Sequence, residues 1–381
     1  MTEIYLDNAA TTQLDPLVIQ RMTSVMAEGP CNPSSLHRRG RSARQLVETA
    51  TDQIGNCLGT ALDLPGGARM IYTGSGTEAN NLILRGLTAS RFILSKIEHP
   101  SVLAVGKWLE IQGKKVDWVQ VNRSGEVCLE HLSELLKHDN REPTLVSIMW
   151  ANNETGVIQP IDEVALLCRQ NNAKFHVDAT QCVGKIPIQL DTSCLSSISF
   201  SAHKFHGPPG VGALWLAPGE SLEPIMFGGE QQLESRPGTE PVALISGMGE
   251  AIDIACKNMP QTDSHCKSLR NHLENSLLKC FSSLVIEGID SPRISSTSCV
   301  SFLGADRQAM LMALDLENIA CSSGSACSSG SSPPSHVLQA MRCSEEEIQS
   351  SIRFAVSKFS TREEIDIAVE RISRVYSRLR R

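Results

Sequence analysis

The chain has 381 residues, with 42 acidic against 35 basic side chains and a net charge of -7 at pH 7. That balance argues against direct electrostatic binding of nucleic acid, and the length predicts one large domain plus a smaller one. The N-terminus, "MTEIYLDNAATT", has no basic stretch followed by an apolar run, and nowhere does an apolar run reach the roughly 18 residues of a membrane span. The 13 cysteines show no C-x-x-C pair and no clustering with histidine at zinc spacing, so no metal site is expected. They read as reduced thiols, and the expected compartment is the cytoplasm.

Asp15 and Pro16 supply a cap and a first-turn proline ahead of Val18, Met22, Val25 and Met26, which form one apolar helical stripe. From residue 69 β-branched runs alternate with amphipathic segments: "MIYTGSG" and "TEANNLILRGL"; "RFILSKIE" and "PSVLAVGKWLEIQ"; "TLVSIMW" and "IDEVALLCRQNN"; then "KFHVDAT", "SSISFSAHK" and "VGALWLA". Such alternation predicts an α/β fold with a largely parallel sheet covered on both faces. We expect it to span residues 12–250. The segment "PVALISGMGEAIDIACKNM" predicts a long connecting helix. After it come a strand ("SSTSCVSFLG"), a helix ("DRQAMLMALDLE"), a cysteine-bearing loop, a strand ("SIRFAVSKF") and a terminal helix. Residues 1–11 and 251–381 are therefore expected to form a small α+β domain.

Ligands of such sheets bind beyond the carboxyl ends of the strands. Five stretches there carry candidate chemistry. "YTGSGTEANN" runs from a strand through Gly74 and Gly76 into a helix near Thr77, which suits a phosphate or is simply a capped turn. "SAHKFHGPPG" sets Lys204 between His203 and His206, where a lysine of depressed pKa forms Schiff bases and an ordinary one is solvated. "FHVDATQ" ends on Asp178, a partner for a protonated ring nitrogen or a turn residue, with Gln181 one turn on. His99 in "KIEHPSV" suits stacking on a flat cofactor, proton transfer or a structural place. Arg353 in "SIRFAVSKF" suits a substrate carboxylate or an internal ion pair.

The loop "CSSGSACSSGSSPPS", residues 321–335, surrounds Cys327 with Ser, Gly and Ala. A core thiol is normally flanked by apolar residues at strand or helix spacing. Cys327 instead reads as a thiol that has to move.

Taken together, "YLDNAATT", "NPSSLHRRGR", "TGSGTEANN", "IEHPSV", "ANNETGVIQPI", "HVDATQCVGKIPI", "SAHKFHGPPGVGAL", "RPGTEPV" and "SSGSACSSG" resemble the NifS/IscS-type cysteine desulfurases in order and spacing. The resemblance covers nearly the whole chain. It implies a fold-type I pyridoxal-phosphate enzyme with a mostly parallel seven-stranded sheet. It implies that Lys204 binds the cofactor as a Schiff base, Asp178 pairs with the ring nitrogen, Gln181 contacts the ring oxygen and His99 stacks on the ring. Gly76, Thr77, Ser201 and His203 would hold the phosphate, Thr239 would reach the phosphate of the other subunit of a homodimer, and Asn153 and Arg353 would bind the substrate's carboxylate region. Cys327 would take sulfur from L-cysteine as a persulfide and pass it to an acceptor protein, for iron-sulfur assembly or for thiolation of tRNA or DNA. Cys31 and Pro209 replace a glycine and a lysine of many relatives, some of which also have a longer C-terminal tail for docking an iron-sulfur scaffold. Cys321, six residues before Cys327, is read as a bystander. Selenocysteine lyase is the alternative activity.

Overall fold

A computed structural model describes residues 3–29, 32–138, 142–191, 193–324 and 333–380. Its centre is a seven-stranded sheet in the spatial order Arg69–Thr73, Gly212–Leu216, Ser197–Ser201, Lys174–Asp178, Thr144–Ser147, Arg91–Ser95 and Lys115–Val119. Only Gly212–Leu216 runs against its neighbours; the other pairings in the row are parallel. The inner parallel strands are buried on both faces, which explains their near-continuous apolar runs, while the edge strand Lys115–Val119 is only partly covered. Phe92 and Leu94 face one apolar cluster while Ile93 faces the other, and Leu214 and Leu216 alternate likewise with Ala213 and Trp215.

The helix Pro16–Ala27 is capped as expected, Asp15 accepting from the Leu17 N–H. The predicted connecting helix is present, and a further helix follows it. Val242–Lys257 packs on Arg38–Leu58, and a second helix, Met259–Cys280, starts at once with Pro260 in its first turn. The sequence reading passed over this second helix, although Cys266, Leu269, Leu273 and Leu277 line its buried side at helical spacing. A separate apolar cluster joins its inner side to the antiparallel strands Leu284–Ile286, Thr297–Phe302 and Ser351–Ala355 and to the terminal helix Arg362–Leu379. Ile4–Tyr5 pairs with Ile319–Ala320, so the first residues of the chain join this second layer. Among the described residues no helix is long and apolar enough to cross a membrane.

Two crossovers set the geometry of the sheet's carboxyl edge. The turn after Arg69–Thr73 enters the helix Gly76–Gly86, and Gly212 lies directly beneath it, paired with both Thr73 and Ser201. A β-carbon on Gly212 would stand 2.5 Å from the Ser75 carbonyl carbon and 2.8 Å from the Gly76 nitrogen, both backbone atoms with no freedom to give way. Gly212→Ala should therefore lower stability by about 1–3 kcal/mol, the usual cost of overpacking a tight site, in urea unfolding followed by circular dichroism. An unchanged midpoint would show that the turn yields.

Candidate active site

The carboxyl ends of these strands open on a cavity of about 350 Å³. Gly76, Thr77, His99, Asn153, Asp178, Gln181, Ser201, His203, Lys204 and Arg353 all line it. Of the residues named from the sequence, Cys327 lies outside the described residues, as does Cys31, and Thr239 is exposed and away from the cavity.

Lys204 closes a single 3-10 turn, Ala202–Lys204, that follows the strand Ser197–Ser201. Its Nζ donates to the carbonyls of Ala9 and Ala10 at 2.7 and 2.6 Å. The same N-terminal segment clasps the turn from outside: the Thr12 hydroxyl donates to the His203 carbonyl at 2.9 Å and accepts the His206 N–H at 2.8 Å. Thr11 Oγ1 lies 3.1 Å from His203 Nδ1. Burial, reinforced by the charges of Lys185 and Arg353, pulls the Lys204 amine down to about 7. A neutral amine still has two N–H groups for the two carbonyls and keeps a free lone pair.

Asp178 is 4% exposed. Its carboxylate accepts from Asn80 Nδ2 at 2.8 Å and from the Thr180 N–H at 3.0 Å. Asn80 is the hub of a buried network. Its amide nitrogen also reaches Ser101 Oγ at 2.9 Å, and its oxygen accepts from the Ser199 hydroxyl and lies 3.2 Å from His176 Nε2. Burial drives His176 down to about 4, so it stays neutral there. Gln181 bridges the Ala9 carbonyl (3.1 Å) and Lys185 Nζ (3.0 Å).

His99 is the cap of the helix Pro100–Ile111 and not the end of the preceding strand, which stops at Ser95. Its Nδ1 accepts the Ser101 N–H at 3.1 Å, so the proton of the neutral ring sits on Nε2. Burial lowers its pKa, opposed by the charge of Asp178. Ser75, and not Thr77, caps the helix Gly76–Gly86 by accepting the Glu78 N–H, so Gly76 and Thr77 sit in the first turn with amides unused by the helix. Arg236 of the "RPGTEPV" stretch pairs with Glu78 at 2.8 Å. Arg353 lines the cavity and also makes the internal ion pair: Nη2 is paired to Asp7 at 2.8 Å and Nη1 donates to the Asn153 carbonyl at 2.9 Å. Cys321 packs on the second apolar cluster, where burial pushes its thiol pKa up, and does not line the cavity.

The sequence reading missed Asn80, Ser199, His176 and Lys185. A signal existed for two of them: His176 and Asp178, two apart on one strand, share a face, as do Ser197, Ser199 and Ser201 on the next. Glu287, Cys343 and Glu347 bring ligand atoms within 4.8 Å of one another, but Arg123 already pairs with both carboxylates at 2.9 and 2.6 Å. The donor set of the cavity fits pyridoxal phosphate: an amine for its aldehyde, a buried carboxylate for its ring nitrogen, and open helix amides beside two polar side chains for its phosphate.

In cofactor-stripped protein Lys204 should react with a small amine-directed reagent along a curve centred near the value of about 7, against an ordinary lysine value of 10.5. Below that pH the amine is protonated and inert; above it the free base reacts. Peptide mapping of the modified lysine across pH reads this directly, and a midpoint near the ordinary value would contradict the burial argument.

A family model for class-V aminotransferases matches residues 4–367. The chain is 37% identical to the cysteine desulfurase IscS of Dictyoglomus turgidum over 99% of its own length and 95% of that protein's. The solved NifS-like protein of Rickettsia africae superposes with a TM-score of 0.91 at 35% identity, over 99% of this chain and 100% of that one. A structure of SspA in complex with cysteine gives a TM-score of 0.80 at 28% identity, over 94% and 100% of the two chains. With this fold, this cavity and these relatives, the chain belongs to the class-V aminotransferase family and, within it, to the pyridoxal-phosphate-dependent cysteine desulfurases.

Proposed function

We propose that the protein converts L-cysteine to L-alanine and carries the sulfur as a persulfide on Cys327 to an acceptor protein. One observation supports this reading most: the cavity that holds Lys204, Asp178 and His99 is also lined by Gly324, three residues before Cys327 in the chain. A desulfurase needs this sequence of groups, whereas an aminotransferase needs no thiol. That SspA was solved with cysteine supports L-cysteine as the substrate.

The chain's own residues divide the work as follows. Lys204 Nζ, whose lowered pKa of about 7 leaves a large share of it as free base at neutral pH, takes the proton from the substrate's Cα. Asp178, fixed by Asn80 and the Thr180 amide, keeps a proton on the cofactor's ring nitrogen, and Gln181 contacts the ring oxygen. Pyridoxal phosphate, when bound, supplies an electron sink conjugated to that carbon. Gly76, Thr77, Ser201 and His203 would hold the phosphate, and Thr239 of a second copy would complete its site. Asn153 and Arg353 orient the substrate's carboxylate. His99, neutral by burial, moves a proton at Nε2 to and from the substrate's sulfur.

The thiolate of Cys327 then attacks the substrate's Sγ. An S–S bond forms as the Cβ–Sγ bond breaks, and the bonding pair stays with Cβ, which is protonated and leaves within L-alanine. A free thiol with a pKa of about 8.5 is only a few per cent ionised at neutral pH, so proton transfer near the site has to raise that fraction. Residues 12–250 act as the cofactor-binding domain, and residues 1–11 with 251–381 as the smaller one carrying the Cys327 segment. A homodimer is the working assembly, the cytoplasm its place, and iron-sulfur assembly the first destination for the sulfur, ahead of tRNA or DNA thiolation.

The deciding experiment compares wild type with Cys327→Ala in L-cysteine, following absorption, alanine release and protein-bound sulfur. Both proteins should be yellow and change spectrum with substrate. The variant should lose the persulfide and release alanine on the order of a hundredfold more slowly, the scale set by removing a nucleophile. A variant that releases alanine like wild type would overturn the reading. Activity confined to selenocysteine would turn it toward the lyase.

A further inference from the structure

Glu154 follows Asn153 in "ANNETG", and nothing in the chemistry above uses it. It is a carboxylate only 2% exposed, and groups from both sides of the Cys327 segment converge on it. On the C-terminal side the Ser335 hydroxyl donates to Glu154 Oε2 at 2.5 Å while accepting the Leu338 N–H at 3.1 Å. On the N-terminal side Gly324 packs so closely that a β-carbon there would lie 2.7 Å from Glu154 Cγ and 2.9 Å from Oε2, with the backbone at a φ of +85°. Three further bonds tie the same flanks to the cavity wall. Ser322 exchanges backbone bonds with Arg353, whose guanidinium holds the Asn153 carbonyl. His336 Nε2 lies 2.9 Å from the carbonyl of Glu98, the residue before His99.

We propose that Glu154 is a positioning residue that fastens both ends of the segment carrying Cys327 to the wall of the cavity. The inference rests on the desulfurase reading for its consequence but not for its geometry. A thiol that must reach the substrate's sulfur and then an acceptor needs a free tether with fixed ends, because the effective concentration of a tethered group falls as its span lengthens. Releasing one end enlarges the volume Cys327 samples without altering how L-cysteine is held.

Holoenzyme of wild type, Glu154→Ala, Glu154→Gln and Ser335→Ala would be compared by four measurements: cofactor absorption, KM for L-cysteine, kcat for alanine release, and the rate of proteolytic cleavage between residues 324 and 335. Glu154→Ala should cut within the segment about tenfold faster and show a kcat about tenfold lower, as loss of one buried hydrogen bond predicts. Its KM and absorption should match wild type. Ser335→Ala should move both rates in the same direction. Glu154→Gln, which still accepts the Ser335 hydroxyl, should restore both. Cleavage and kcat at wild-type values in Glu154→Ala would overturn the proposal, as would a raised KM with cleavage unchanged, which would make Glu154 a substrate-binding residue. If Glu154→Ala does not fold, Ser335→Ala decides by the same two outcomes. Failure of the desulfurase reading would show separately, as wild type forming no protein-bound sulfur while the cleavage rates still test the anchor.

Discussion

The amine of Lys204 is held against the carbonyls of Ala9 and Ala10, across about half the length of the chain. Through this contact the N-terminal segment, the strand Ser197–Ser201 and the cavity become one unit. Without the segment, the 3-10 turn would lie open to water, and the desolvation that lowers the lysine would vanish with it. The stretch "DNAATT" is therefore a strap. Its carbonyls meet the amine, Thr12 pins the His203 carbonyl and the His206 amide, and Asn8 reaches the Ala355 carbonyl at 2.8 Å. The last of these bonds joins the lysine's turn to the layer that carries Arg353.

A second constraint is the buried polar network centred on Asn80. Parallel strands buried on both faces tolerate polar side chains only where each finds a partner. Asn80 supplies partners to Asp178, Ser101, Ser199 and His176 at once. The arrangement leaves Asp178 Oδ1 and Oδ2 each with one donor, and so fixes the carboxylate's orientation at the cavity floor. Glu98, beside His99, meets this rule at one oxygen only, its Oε2 being buried without a partner among the described residues. It is fully buried, its Oε1 accepts from Ser95 Oγ at 2.5 Å and from the Met149 N–H at 2.8 Å, and burial raises its carboxyl to about 8. At neutral pH it is therefore mostly protonated, which limits the negative charge next to the imidazole.

The two layers of the protein meet at and beside residues that line the cavity. Arg353 bonds to Asn153, Ser335 to Glu154, and His336 to Glu98. The second layer is thereby bonded to the chain at Asn153 and Glu154 and beside His99.

Much of the site was legible in the sequence because its parts are local. A strand that ends on Asp178, a glycine turn that opens the helix at Gly76, and a lysine just past the strand Ser197–Ser201 are each written within a few residues. The Ser/Gly setting of Cys327 is likewise a local property. The alternation of strand and helix was enough to determine the α/β class, since its apolar periodicity reports which faces are buried. Only tertiary structure decided that Ser75 and not Thr77 caps its helix, that Arg353 is both ion-paired and cavity-lining, and that Asn80, Lys185 and Glu154 belong to the story at all. The roles of Asn80 and Glu154 rest on partners 21 to 181 positions away in the chain, and that of Lys204 on the removal of water that sets its amine near neutrality. Spacing along a sequence carries no record of either, because desolvation and long-range hydrogen bonds exist only once the layers have closed.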